Sequence, residues 1–173
     1  MKEKLLFILN PKAGTMRGKD NFYAVCSTFC DADLDLSIRM TRAPGHATQI
    51  ALDEAAGYDR IVCCGGDGTL HEVVCGLMQL PEDSRPPLGY IPAGTTNDFA
   101  RALKIPRGKP LEAIEIIGKN QILNIDVGHA VIRETQDEQY FINIAAGGGL
   151  TELTYSVPSH LKTAFGYLAY LAK

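Results

Sequence analysis

Four short apolar runs, at residues 5–9, 36–40, 61–64 and 88–91, recur along the first half of the chain, each bounded by Gly, Pro, Asn or Asp. Runs this short suit buried strands and are too brief for helices. Longer periodic segments lie between them, at 21–30, 47–56 and 69–80. In the third, Leu70, Val73, Val74 and Leu77 fall at i, i+3, i+4 and i+7, which is one face of a helix. Buried strands that alternate with helices indicate βαβ units and a parallel sheet. One more helix is expected at 110–118, with Leu111, Ile114 and Ile117 on one side.

The pattern then changes. Residues 122–132 and 140–145 form two strand-like runs separated by the polar Glu134-Thr-Gln-Asp-Glu138, the signature of an antiparallel hairpin. Gly147-Gly148-Gly149 follows, then two expected helices, the second over 159–172. We place a domain boundary near Gly128, giving an α/β unit at 1–127 and the beginning of a second, β-rich unit at 128–173. A segment of ~45 residues is too small to fold alone. The chain also stops inside an apolar helix without a cap, so it is expected to be an N-terminal fragment, or its second half to dock on something else.

Composition removes several classes. Apolar residues make up 46% and charged residues 21%, which excludes disorder, collagen and coiled coil. A net charge of -3 argues against a nucleic-acid partner, which usually meets a basic face. Five cysteines, two of them adjacent at Cys63 and Cys64, do not form a secreted disulfide framework. Buried reduced thiols are expected instead, which favours the cytoplasm. The apolar start spans only 5–9, short of the ~7–15 residues of a signal peptide, and no window approaches the ~20 of a membrane span.

Three of the expected strands end in unusual loops. These are Asn10-Pro11-Lys12-Ala13-Gly14-Thr15-Met16-Arg17-Gly18-Lys19, then Gly65-Gly66-Asp67-Gly68-Thr69, then Pro92-Ala93-Gly94-Thr95-Thr96-Asn97-Asp98. In open parallel sheets ligands bind at the carboxyl ends of the strands. Glycines let backbone N–H groups approach an anion, and helix N-termini add partial positive charge. Familiar templates fail: 14–20 is one residue short of a Walker A loop, 66–71 lacks the third glycine of a dinucleotide fingerprint, and His71-Glu72-Val-Val-Cys75 lacks the second metalloprotease histidine. What remains is a Gly-rich loop centred on a carboxylate, Asp67. A carboxylate suits phosphate binding only if Mg²⁺ or a hydroxyl donor lies between them. The alternative is a tight turn whose Asp or Thr caps the following helix.

These residues resemble a known family. Gly65-Gly66-Asp67-Gly68-Thr69 with Leu70, Glu72 and Val73-Val74 is similar to the nucleotide loop of the diacylglycerol kinase catalytic domain family, which includes bacterial diacylglycerol kinases and the sphingosine and ceramide kinases. Leu9-Asn10-Pro11-Lys-Ala-Gly14 resembles its opening N-P-x-[SA]-G, and Thr41-Arg42 with Gly45-His46-Ala47 its second element. Gly89-Tyr-Ile-Pro-Ala-Gly94-Thr-Thr-Asn97-Asp98-Phe99-Ala100-Arg101 resembles its I-P-x-G-T-x-N-D-F-A-R run; Ile125-Asp126-Val-Gly128 and Phe141-Ile-Asn143-Ile-Ala-Ala-Gly147 complete the order.

The resemblance implies a three-layer, parallel-sheet nucleotide-binding domain of NAD kinase/diacylglycerol kinase type, followed by the start of a β-rich domain. It implies ATP and Mg²⁺ as cofactors and transfer of the γ-phosphate to a lipid hydroxyl, most commonly diacylglycerol giving phosphatidic acid. By the same resemblance Gly65, Gly66, Gly68 and Thr69 bind ATP phosphates, with Asn10 and Thr41 beside the nucleotide. Gly94, Thr95 and Asn97 shape the opposite wall. Asp67, Asp98 and Asp126 form an acidic cluster linked to Mg²⁺, directly or through water, and Lys162 neutralises phosphate charge. The protein is expected in the cytoplasm, peripheral to the inner membrane face, and some relatives are homodimers.

Two departures stand against the pattern. Thr15 occupies the place of a family lysine, for which Lys12 or Lys19 would have to substitute. The catalytic base belongs to the part expected beyond Lys173, so residues 1–173 alone should bind nucleotide weakly without turnover. A soluble-substrate kinase of NAD kinase type and a non-catalytic nucleotide-binding module remain as alternatives. Arg101, Lys104, Arg107 and Lys109 could meet anionic headgroups or be a solvated helix end, and 165–172 could lie in a membrane interface or pack on a second domain.

Overall fold

A computed structural model describes residues 2–14, 19–131, 133, 135, 136 and 138–142. The elements are β1 (Lys4–Leu9), α1 (Lys19–Asp31), β2 (Asp35–Met40), α2 (His46–Glu54), β3 (Arg60–Gly65), α3 (Asp67–Met78), β4 (Leu88–Pro92), α4 (Asp98–Ala102), α5 (Pro110–Gly118), β5 (Gly128–Val131) and β6 (Glu138–Phe141). Two 3₁₀ turns, Ala55–Gly57 and Glu82–Ser84, join elements of the first half. All four apolar runs are strands, and they pair in parallel in the order β2-β1-β3-β4.

The strands carry apolar residues without a polar gap because both faces of the sheet are covered. Leu5, Phe7 and Leu9 of β1 point to one face with Val62, Cys64 and Ile91, where Val25 and Phe29 of α1 and Ala113 and Ile114 of α5 pack on them. Leu6 and Ile8 point to the other face with Ile61, Cys63 and Tyr90, under Ile50 and Ala51 of α2 and Leu70, Val73 and Leu77 of α3. This is the expected three-layer α/β sandwich. Gly76 marks where α2 and α3 touch: a Cβ there would lie 2.4 Å from the Thr48 carbonyl oxygen.

The structure differs from expectation in several places. The helices begin earlier than the apolar pattern suggests, α3 at Asp67 rather than residue 69, because the Gly-rich turn already carries helical backbone. Asn97 and Asp98, read as the end of the third loop, cap and open the short helix α4. The strand expected over 122–132 is realised only as Gly128–Val131, paired with Glu138–Phe141 of β6. Residues 121–127 form no ladder, and Ile122, Leu123 and Ile125 are exposed, because no strand among the described residues lies beside them. The expected helices after Gly149, the run 143–145, Thr15 and Lys162 lie outside the described residues.

The cysteines are free thiols. Burial pushes the Cys64 thiol up from 9.0 to about 12, with Cys26 adding to it, and raises Cys63 well above its ordinary value. A group whose folded pKa is raised contributes stability below its unfolded pKa and loses it as pH rises through the folded value. The fold should therefore weaken from about pH 9 upwards, the loss from Cys64 being complete near 12. At pH 8 a thiol reagent should modify exposed Cys30 first and spare Cys63 and Cys64 until denaturant is added; mass mapping of labelled peptides checks this. Early labelling of Cys63 or Cys64 would contradict the burial of β3.

Candidate active site

Parallel pairing puts the carboxyl ends of β1, β3 and β4 side by side, so their three loops meet at one edge of the sheet. The loops after β3 and β4 touch through bare backbone. A Cβ on Gly94 would stand 2.5 Å from the Gly66 Cα, and one on Gly66 would stand 3.2 Å from the Gly94 Cα. No side chain fits between them.

Asn97 holds this contact from behind. It is 2% exposed and left-handed at φ 51°, a conformation that Asn tolerates better than most residues. Its Oδ1 accepts from the Gly94 N–H at 3.0 Å, and its Nδ2 donates to the Gly94 carbonyl at 2.7 Å. The Tyr90 hydroxyl sits 3.2 Å from both Asn97 Oδ1 and the Gly65 carbonyl, tying the two loops to one phenol. Burial, with the Asp67 charge next, pushes the Tyr90 phenol well up, so it remains a protonated donor.

The first loop joins through Asn10. Its N–H donates to the Cys64 carbonyl at 2.9 Å, and its Oδ1 accepts from the Lys12 N–H at 2.9 Å, closing a tight turn. Its Nδ2 donates to the Thr69 Oγ1 at 2.9 Å. That hydroxyl thus accepts from the protein and keeps its own proton for an outside acceptor. Gly65 makes room for it, since a Cβ there would come 2.6 Å from the Thr69 Oγ1.

A cleft of about 500 Å³ opens between these loops, and Asn10, Thr41, Gly66, Gly68, Thr69, Gly94 and Thr95 are all on its walls. The first N–H groups of a helix have no intrahelical partner. Here α3 lacks a side-chain cap, and the N–H groups of Asp67, Gly68 and Thr69 have no acceptor among the described residues. The cleft therefore offers orphan donors at a positive helix end, which is what an anion such as phosphate requires.

The acidic residues are arranged less tightly. Asp67 Oδ1 accepts from the Phe99 N–H at 3.3 Å, which brings the first turns of α3 and α4 together and makes Asp98 a neighbour. Among the described residues Asp67 Oδ2 has no hydrogen-bond partner, and Asp98 pairs with Arg101 at 3.5 Å. Asp126 is exposed, with no hydrogen bond or ion pair among the described residues. No three His, Cys, Asp or Glu side chains among those residues gather closely enough to hold a metal by themselves. Magnesium keeps several waters and usually takes one or two carboxylates plus substrate phosphates. Asp67 with Asp98 fits that donor set.

Two features of the cleft were beyond sequence reasoning. Glu72 lines it, and its Oε2 accepts from the Ala47 N–H at 3.1 Å, capping α2 from α3. Arg42 and Pro44 form the wall beyond Thr41, where the Arg42 N–H donates to His46 Nδ1 at 3.1 Å. Lys12, one of the two lysines named as substitutes for the family lysine, is on the wall too.

Replacing Gly94 by Ala should cost about 2 kcal/mol by forcing the loops apart. Asn97→Ala should cost about 3 kcal/mol, because both polar groups of Gly94 lose their partner. Urea unfolding checks both, and a loss under about 0.5 kcal/mol for either, the range of ordinary surface changes, would contradict the described loop contact.

The comparisons with known proteins agree with this geometry. The model of the diacylglycerol kinase catalytic domain matches residues 4–130. The chain is 47% identical over 167 residues to a diacylglycerol kinase of Bacillus subtilis (strain 168), covering 96% of this chain and 52% of that one. It is 37% identical over 174 residues to a diacylglycerol kinase of Staphylococcus saprophyticus, covering 100% and 54%. A crystal structure of a diacylglycerol kinase from Bacillus anthracis str. Sterne superimposes with a TM-score of 0.69 at 37% identity, covering 82% of this chain and 46% of that one. The chain thus spans about half the length of these relatives. Fold, loops and relatives together assign the chain to the diacylglycerol kinase catalytic domain family.

Proposed function

We propose that this chain is the nucleotide-binding part of a lipid kinase that transfers the γ-phosphate of ATP to a lipid hydroxyl, most commonly that of diacylglycerol. The observation that carries the reading is the row of N–H groups at Asp67, Gly68 and Thr69 without acceptors among the described residues, with Gly68 and Thr69 on the wall of a cleft bounded by all three loops. Membership of the diacylglycerol kinase catalytic domain family supports the choice of a lipid acceptor.

Phosphoryl transfer needs positioning and charge neutralisation more than covalent help. In this reading the α3 N–H groups and the Thr69 hydroxyl bind the phosphates, and Asn10 orients that hydroxyl. Gly94 and Thr95 form the facing wall, held by Asn97, while Thr41 lies beside the nucleotide. Asp67 and Asp98 would hold Mg²⁺, directly or through water, and Asp126 is the third acidic residue that the resemblance implies. When bound, Mg²⁺ neutralises charge on the transferring phosphate. Lys12 supplies a cation at the cleft wall where relatives carry a lysine at the position of Thr15. Lys162 keeps the role that the resemblance implies.

We further divide the chain into the α/β unit 1–127 and the beginning of a β-rich domain at 128–173, supported by the change from parallel to antiparallel pairing at β5. The general base is assigned to sequence outside residues 1–173, supported by relatives about twice as long. Among the described residues no helix is long and apolar enough to cross a membrane, which suits a peripheral enzyme. Homodimer formation is carried over from the resemblance alone.

The test incubates the full-length protein with γ-labelled ATP, Mg²⁺, detergent-dispersed lipids and NAD. Label should enter the organic phase and fall roughly 10²–10³-fold in Asp67→Ala, the scale for removing one preorganised electrostatic group. Label confined to aqueous NADP would replace the proposal with a soluble-substrate kinase, and no transfer at all would leave a binding module.

A further inference from the structure

The ring of Tyr90 needs no hydroxyl to pack. It stands in β4 opposite Cys63 of β3, is 4% exposed, and lies in the apolar cluster under α2 and α3, with its ring 6.3 Å from that of Phe99. A hydroxyl buried in such a place is costly unless it is hydrogen-bonded. What the oxygen reaches therefore decides what the residue does.

The oxygen is 3.2 Å from the Gly65 carbonyl and 3.2 Å from Asn97 Oδ1. Each acceptor already takes a backbone N–H, Gly65 from Ala93 at 2.8 Å and Asn97 from Gly94 at 3.0 Å. One phenol proton is thus shared between two acceptors that are satisfied without it, at a spacing longer than the ~2.7–2.8 Å usual for O–H···O. What the proton adds is a tie between loops. The Asn97 bonds to Gly94 are internal to the loop after β4. That loop is fastened to the Gly-rich loop at its start by the Ala93 N–H, and beyond its end by the Phe99 N–H, which donates to Asp67 Oδ1. Between these anchors, the Tyr90 hydroxyl is the hydrogen bond among the described residues that joins the 94–97 turn to Gly65. A further bond to the turn, from Arg107 to the Thr96 carbonyl at 3.3 Å, comes from an exposed side chain outside the Gly-rich loop.

We propose that the Tyr90 hydroxyl is a positioning group for the nucleotide, holding the Gly94–Thr95 wall at the spacing from the start of α3 that a metal-complexed polyphosphate requires. The inference rests on the reading that such a ligand occupies this cleft. Gly94 and Thr95 are on the cleft wall, and Tyr90 itself is off it. Backbone contact between Gly66 and Gly94 stops the wall from moving inward. The shared proton stops it from moving outward. Without the hydroxyl the turn can rock on its two anchors with its own bonds intact, and the ligand must then order it on binding, which lowers affinity.

Calorimetric titration of the full-length protein with Mg²⁺ and a non-hydrolysable ATP analogue, without lipid, tests the proposal. Tyr90→Phe keeps the ring and leaves each acceptor with an N–H, so the melting temperature should fall by no more than about 4 °C. The Kd should nevertheless rise about fivefold, the factor that one net hydrogen bond is worth. Amide NMR at saturation should show Asp67, Gly68 and Thr69 shifted as in the unmodified protein, with Gly94 and Thr95 shifted measurably less. A purely structural role would lower the melting temperature and move neither reading. Tyr23→Phe removes an exposed hydroxyl from α1, and Phe29→Leu loosens the core on the other face of the sheet. Both controls should keep the Kd within about twofold. An unchanged Kd in Tyr90→Phe, or an equal rise in Phe29→Leu, would overturn the positioning role and leave the cleft reading standing. No binding by the unmodified protein would overturn both. Because no transfer is measured, the outcome does not depend on the acceptor.

Discussion

Two glycine backbones in contact hold the site of this protein together. Gly66 and Gly94 approach so closely that a methyl group on Gly94 would collide with Gly66, and one on Gly66 would be a tight fit against Gly94. The contact is possible only because β3 and β4 are parallel neighbours, with Gly65 paired to Pro92 at their ends. It is kept in place by Asn97, which satisfies both polar groups of Gly94, and by Tyr90, which reaches from Asn97 to the Gly65 carbonyl. A side chain between the loops would widen the gap and remove the facing wall of the cleft.

From this contact follows the distribution of charge. The start of α3 is left uncapped, its first donors unsatisfied, while Asn10 aligns the Thr69 hydroxyl beside them. Orphan donors are costly in an apolar surrounding and are tolerated where water or an anion can reach them. Asp67 sits in the same turn, with one oxygen unbonded among the described residues. A bare phosphate would be repelled by it, whereas a phosphate accompanied by a divalent cation would be held from both sides. In the proposed function this arrangement favours a metal-complexed polyphosphate over a simple anion.

Much of this was legible in the chain because it depends on local chemistry. The runs around Phe7, Val62 and Ile91 read as buried strands since helices cover both faces, and the glycines around Asp67 and at Gly94 marked backbone positions of close approach. What escaped is non-local. Glu72 looks like a surface helix residue, and only the packing of α3 on α2 shows it capping Ala47. Tyr90 reads as an ordinary strand aromatic until the αL turn at Asn97 brings Oδ1 to it. The apolar run from Ile122 reads as a strand, yet strand formation needs a neighbour, and none of the described residues supplies one. Asp126 lies on the same run and is exposed there.

The claim at the centre of this account is that three loops, joined by backbone contact, form one phosphate-binding cleft. Backbone amide NMR during titration with Mg²⁺ and a non-hydrolysable ATP analogue tests it most directly. The account predicts shifts concentrated at residues 10–14, 41–44, 66–70 and 94–99, with Asp67, Gly68 and Thr69 amides moving furthest as their N–H groups gain an acceptor. Saturable shifts confined to another face of the sheet, with those three amides unmoved, would contradict it.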